Sequence, residues 1–262
     1  MTHRVAHFDF TDSVVLVTGG GTGIGRAVAT AFDAAGATVV VAGRRPEPLE
    51  SVVSASRTGR ARALPVDIGE ADDVARLVED VVTTEGRLDV VVSNAGSYFG
   101  GSVDEVTPEQ WRSMVSANVD GFFNLARSSF PHLVASGGNL VAVSSVSGLR
   151  GDWGQAPYNA TKGAVTMFVQ ALALDWGRSG VRVNGIAPSL TDTPTTHDFV
   201  ADAVVAPQFE ARTALGRLGT PDDMAGPVLF LASDAAAYVT GTILPVDGGT
   251  SASSGQAHLA AD

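Results

Sequence analysis

The chain has 262 residues, 45% hydrophobic and 17% charged, a balance that excludes a largely disordered polymer and permits one sizeable core. Its formal net charge of −11 repels polyanions, so neither nucleic acid nor an anionic membrane surface is an expected partner. With no cysteine there are no disulfides or thiolate metal sites, and His3, His7, His132, His197 and His258 lack metal-ligand spacing, so no metal is expected. Residues 1–10 lack the apolar run of a signal peptide, and no apolar stretch is long enough for a membrane span; a cytoplasmic location is the expectation.

In chain order, a valine-rich strand over 14–17 runs into a glycine turn and a helix over 24–35. A strand at 38–41 and a helix at 47–55 follow, then a strand at 61–66 and a helix at 70–85. Asp67 and Glu70 are spaced for a capping box at the start of that third helix. The chain continues with a strand at 90–92, a helix at 108–130, a strand at 140–143 and a helix at 157–178. Next come a strand at 181–186, a long irregular segment at 189–216 read as a lid or substrate loop, a helix at 221–232 and a strand at 242–246. The tail, 251–262, is small and polar and is read as flexible or as an oligomer contact. No internal repeat or linker interrupts this order. Continuous apolar strands alternating with helices predict a single doubly wound α/β domain, its parallel sheet covered on both faces.

The turn after the first strand reads Thr18-Gly19-Gly20-Gly21-Thr22-Gly23-Ile24-Gly25. Glycines there allow a tight turn and close approach to a pyrophosphate, for which a helix N-terminus supplies free N–H groups. The spacing is G-x-x-x-G-x-G, not G-x-G-x-x-G, because Arg26 stands three residues after Gly23. Later the chain reads Tyr158-Asn159-Ala160-Thr161-Lys162, placing a phenol and an ammonium four apart on one helix face. Lys162 is the single lysine beside 16 arginines. A tyrosine with an unperturbed pKa of about 10 is a poor base at neutral pH. A neighbouring ammonium is expected to stabilise its phenolate.

With these motifs the chain resembles the single-domain short-chain dehydrogenase/reductase family across residues 13–250. The resemblance implies a Rossmann-type sheet of seven strands in the order 3-2-1-4-5-6-7, and hydride transfer between a nicotinamide cofactor and a carbonyl or alcohol carbon. Carried onto this chain, the family's catalytic tetrad falls on Asn118, Ser145, Tyr158 and Lys162. Ser145 is chosen over Ser144 because it stands thirteen residues before the tyrosine; a solvent-facing serine in a serine-rich turn is the plainer alternative. The cofactor is expected against Gly19, Thr22, Gly23, Ile24 and Gly25, against Asp67 and Ile68, against Asn94-Ala95-Gly96, and against Pro188 and Thr193, besides Tyr158 and Lys162. Asn94 is also read as a brace of the central sheet, and Asp67 as a helix cap as much as an adenine contact.

At the end of the second strand, where an NAD enzyme usually carries an acid, the chain has Gly43 followed by Arg44. A guanidinium there suits a 2′-phosphate, so NADP is expected over NAD; an ordinary exposed basic pair, Arg44-Arg45, is the other reading. Two departures from the family stand out: Ser189 follows Pro188 where glycine is usual, and Asp12-Ser13 stand where many members have Gly-Lys.

The expectation is a carbonyl reductase for a small-molecule ketone or secondary alcohol, assembled as a homotetramer to which the apolar segments 225–232 and 242–246 are expected to contribute contacts. Alternatives are a 3-oxoacyl-[acyl-carrier-protein] reductase, a nucleotide-sensing protein without turnover, and an epimerase or dehydratase of the wider group. Candidate substrate-lining residues are Tyr98, Phe99, Ser147, Leu149, Trp153, Gln155 and His197, the last as a lid residue.

Overall fold

Residues 7–255 are described by the structure, a computed structural model. Seven strands pair in parallel: β1 Val14–Thr18, β2 Thr38–Gly43, β3 Ala61–Pro65, β4 Val90–Ser93, β5 Asn139–Val143, β6 Arg182–Pro188 and β7 Ile243–Val246. Their order in the sheet is β3-β2-β1-β4-β5-β6-β7, as the family resemblance implies.

The continuous valine runs have a simple cause. Successive side chains in a strand point to opposite faces, and here each face carries a helical layer. Val15, Val17, Val39, Val41, Val92 and Val143 pack into one core with α1 (Gly23–Ala34), α2 (Pro46–Ser54) and α9 (Pro221–Ala232). Leu16, Val40, Val91, Leu140 and Val183 fill the other with α3 (Ala71–Glu85), α5 (Gly121–Ser136) and α6 (Ala156–Trp176). Arg182 ties α9 to the sheet, its guanidinium donating to the carbonyls of Leu231, Ala232 and Ser233 at the helix C-terminus, where a cation suits the dipole.

Four expectations need correction. The helix read over 108–130 is two helices, α4 (Pro108–Val115) and α5, separated by a π turn at Ser116–Asp120. The segment 189–216 is not wholly irregular; it carries two short helices, α7 (His197–Ala201) and α8 (Val205–Glu210). No capping box joins Asp67 to Glu70: Glu70 is itself the N-cap of α3, and the Asp67 carboxylate turns back to accept from the Gly69 amide at 3.0 Å. The apolar residues of α9 expected to help build an oligomer contact, including Val228, Leu229 and Leu231, are buried in the chain's own core.

Asp12, where the resemblance has glycine, adopts a φ of 66°, a left-handed conformation that aspartate tolerates better than most residues. The expected tail is described only to residue 255; 256–262 lie outside the described residues. No helix among the described residues is long and apolar enough to cross a membrane.

Candidate active site

In an open α/β sheet the ligand crevice lies beyond the strands' carboxyl ends where the strand order reverses, here between β1 and β4. The glycine turn leaves β1 at this point. Gly19 has φ 64° and lies so close to Asn94 that a Cβ there would stand 2.7 Å from the Asn94 amide nitrogen. At Gly25 a Cβ would meet the Gly19 carbonyl at 2.2 Å, so only glycine lets the first turn of α1 pack on the loop. Thr22 is the N-cap but its side chain caps no amide, and no acidic side chain stands in the first turn. The N–H groups there and the positive end of the helix dipole are left for an outside anion.

Asn94 performs the bracing role read for it. Its side chain donates to the Thr18 and Gly19 carbonyls at 3.0 and 3.2 Å, and the amides of Asn94 and Ala95 both donate to the Thr18 hydroxyl. The ends of β1 and β4 are thereby locked together.

Asn118 sits within the π turn, 3% exposed. Its Oδ1 accepts from the Ser97 amide at 2.8 Å, and its Nδ2 donates to the Ser97 carbonyl and to Thr161 Oγ1 at 3.0 and 2.9 Å. Thr161 Oγ1 in turn donates to the Tyr158 carbonyl at 2.8 Å. Asn118 therefore links the loop after β4 to the first turns of α6, and Gly96 is glycine because a Cβ would stand 2.7 Å from Asn118 Oδ1.

Tyr158 and Lys162 share the face of α6 that meets the end of β5. Lys162 Nζ donates to the Val143 carbonyl at 2.9 Å and lies 5.9 Å from the centre of the Tyr158 ring. Ser145 follows β5 directly, 9% exposed, its hydroxyl accepting from the Ser147 amide at 3.1 Å. Ser144 points elsewhere, bonding the Lys162 carbonyl and Thr166, which supports choosing Ser145.

Burial dominates the electrostatics and corrects one expectation. The Tyr158 phenol is pushed up to about 12 by burial, and only the Ser145 hydroxyl draws it back. Burial lowers Lys162 to about 8. The net shift of the phenol is therefore upward, opposite to the lowering expected from Lys162, because burial is the largest effect on it while the ammonium donates to the Val143 carbonyl.

A stability signature follows. Between pH 8 and 10.5 the unfolded chain holds a lysine proton that the folded chain has released, so the penalty of burying Lys162 fades as pH rises. Tyr158 acts oppositely and higher, destabilising the fold between pH 10 and 12. In denaturant titrations of the cofactor-free protein, Lys162→Met should be more stable than wild type at pH 7.5, with the gap narrowing by pH 9.5. A gap that stays constant or widens contradicts the assignment.

At the far end of the crevice Arg44 is exposed just beyond β2 and forms no ion pair among the described residues. Asp67 is exposed after β3; Ile68 is buried, its side chain packed where a Cβ on Gly121 would touch it at 2.6 Å. Pro188 is buried at the end of β6. Thr193, remote in sequence, lies over the phosphate turn, 3.2 Å from where a Gly23 Cβ would stand.

On the substrate side Tyr98 meets the Tyr158 ring edge-on, with centres 5.0 Å apart, and Ser147 adjoins Ser145. Trp153, expected to line the site, is fully exposed, and Leu149 and His197 are exposed too. Gln155 precedes α6 as its N-cap. Two residues escaped the sequence reading. Phe199 of α7 reaches the Tyr98 ring at 6.4 Å, and Asp152 is hydrogen-bonded to Ser147. The apolar side chain inside the long segment was the available signal for Phe199; nothing local marks Asp152.

A parallel sheet in this order, with a half-buried tyrosine and a buried lysine facing the end of β5, suits an oxidoreductase, and known proteins agree. A family model described as enoyl-(acyl carrier protein) reductase matches residues 19–251. The chain is 40% identical over 250 residues to the meso-2,3-butanediol dehydrogenase of Serratia marcescens, covering 95% of this chain and 99% of the relative. A gluconate 5-dehydrogenase from Burkholderia cenocepacia, solved with NADP and tartrate, superposes with a TM-score of 0.90 at 33% identity, covering 96% of this chain and all of that one. A 3-ketoacyl-(acyl-carrier-protein) reductase from Brucella melitensis, solved with NADH, gives 0.87 at 32% identity, covering 93% and 100%. The chain belongs to the short-chain dehydrogenase/reductase family, oxidoreductases acting on alcohol and carbonyl groups.

Proposed function

We propose that this chain is an NADP(H)-dependent carbonyl reductase that interconverts a ketone and a secondary alcohol through Asn118, Ser145, Tyr158 and Lys162. The convergence of Ser145, Tyr158 and Lys162 at the end of β5, two strands from the glycine turn along the same sheet edge, carries this reading. The residues fit a dinucleotide: an uncapped helix N-terminus for the pyrophosphate, Thr193 over the turn, and Asp67 and Ile68 beyond β3 for the base. The bound nicotinamide supplies the hydride.

Tyr158, protonated at neutral pH like any phenol and raised further by burial, gives a proton to the forming alkoxide. Ser145 steadies the carbonyl oxygen as charge builds on it. Lys162 anchors the phenol's surroundings through Val143 and offers its charge to a ribose hydroxyl, and Asn118 holds the loop and helix that carry the pair in register. The NADP(H) preference makes carbonyl reduction the working direction. Incubation with NADPH and a panel of ketones, 3-oxoesters and secondary alcohols, followed by absorbance, tests the activity; no consumption with any of them overturns it. A 3-oxoacyl-[acyl-carrier-protein] reductase is the second reading, favoured by the likeness to the Brucella enzyme and opposed by a net charge of −11, which disfavours an acidic carrier.

NADP preference rests on Arg44, a guanidinium beyond β2 without an ion-pair partner among the described residues and with no carboxylate at that strand end. Calorimetric titration should show wild type binding NADP at least tenfold more tightly than NAD, with Arg44→Ala removing most of the difference. Equal affinities in wild type contradict it.

A homo-oligomer, a tetramer by family likeness, completes the proposal. On α5 and α6, Phe123, Met167 and Leu174 are 47%, 61% and 84% exposed, an apolar surface that a second copy could cover. Light scattering should give a mass well above the 26.8 kDa monomer, and Met167→Glu with Leu174→Glu should reduce it. A monomeric wild type refutes the assembly.

A further inference from the structure

Asp152 stands apart from the residues already assigned. Its Oδ2 accepts a 2.5 Å hydrogen bond from the Ser147 hydroxyl, and the Ser147 amide donates to the Ser145 hydroxyl, so one residue separates this carboxylate from the group proposed to hold the carbonyl oxygen. No ion pair to it is formed among the described residues. Its loop is fixed on both sides. The Gly101 amide donates to the Gly154 carbonyl at 2.9 Å, and Asn159 Nδ2 donates to the Arg150 carbonyl at 2.9 Å. Burial is the main cause of the raised Tyr98 and Tyr158 phenols, and the negative charge of Asp152 adds a smaller push in the same direction to each.

We propose that Asp152 selects the substrate class: an uncharged ketone or alcohol bearing a second hydroxyl beside the reacting carbon, with carboxylate- and phosphate-bearing analogues excluded. This rests on the reading of Ser145 and Tyr158 as the reacting centre. A carboxylate is an acceptor only, so it rewards a hydroxyl donor and repels an anion in the same position. Tyr98, Tyr158 and Phe199, their rings edge-on to one another, offer surface for a short carbon skeleton. A carboxylate without a cation partner among the described residues, one residue away from the group proposed to hold the reacting oxygen, would hinder any enzyme whose substrate carries its own anion there.

The test compares hydroxyacetone with pyruvate, which share a methyl ketone and differ in a hydroxymethyl against a carboxylate. The NADPH-loaded enzyme is assayed on both, as wild type, Asp152→Asn and Asp152→Ser. Asparagine still accepts from Ser147, so the loop anchor is kept while the charge is lost; serine is a second uncharged variant should asparagine disturb the fold. Calorimetry with pyruvate and the NADP complex reads binding without turnover. Both variants should shift the ratio of kcat/KM about tenfold toward pyruvate and tighten pyruvate binding by a similar factor. An unchanged ratio, or pyruvate binding equal in wild type and variants, undetectable binding in all of them included, overturns the proposal. The reading of the reacting centre is tested separately on Tyr158→Phe: if that variant keeps full turnover the centre is misassigned, while the calorimetric comparison still decides the role of Asp152.

Discussion

Lys162→Arg should lose on the order of a hundredfold or more in kcat, the range that positioned acid–base groups contribute, although it preserves the charge. Lys162 is 7% exposed, and its ammonium fits between the Val143 carbonyl, at 2.9 Å, and the face of the Tyr158 ring. A guanidinium is planar, broader and more diffuse in charge, so it cannot occupy that point while leaving the phenol and a ribose hydroxyl within reach. Displacing the tyrosine even slightly is expensive, because proton transfer depends on near-attack geometry. Overpacking a buried position costs about 1–3 kcal/mol, so the melting temperature should fall by a few degrees without loss of fold. Turnover, NADPH affinity and Tm of the variant, measured together, check this. Near-normal turnover would make the chain's single lysine a replaceable cation and remove the main support for the site.

Tyr158→Phe should be more damaging still, with kcat reduced by roughly a thousandfold or more while NADPH affinity and Tm stay near wild type. Phenylalanine keeps the ring and its edge-on contact with Tyr98, so the change removes the transferable proton and little else. Two phenols stand 5.0 Å apart here, and both are raised by burial, so their environments alone do not single out the donor. Tyr158 is distinguished by its contacts with Ser145 and Lys162. Tyr98→Phe should accordingly stay within about tenfold of wild-type kcat, its effect falling mainly on KM. In the reductive direction wild type should hold its rate across neutral pH, begin to lose it as Lys162 releases its proton from about pH 8, and lose the rest as the raised phenol ionises. Only that last limb should vanish in Tyr158→Phe. A variant that turns over within tenfold of wild type would move the proton donor elsewhere.

Much of this protein is encoded locally. The valine runs, the turn from Thr18 to Gly25 and the spacing of Tyr158 and Lys162 each involve a few neighbouring residues whose conformational demands are strong, so the strands, the phosphate turn and the tyrosine–lysine pair were legible in the chain alone, while the strand order followed from the family resemblance that those motifs carry. What the tertiary structure decided depends on contacts between distant segments. The π turn around Asn118 is joined to Ser97 and Thr161 by hydrogen bonds that no helical periodicity announces. Thr193 reaches Gly23, and Phe199 reaches Tyr98, only because the segment after β6 folds back over the crevice. The protonation of Tyr158 and Lys162 is set by how far the packed sheet and helices strip water from them, a many-body quantity that outweighs the pairwise attraction suggested by their spacing. Asp152 becomes visible as a neighbour of Ser145 only once the loop before α6 closes through Ser147 and Gly101.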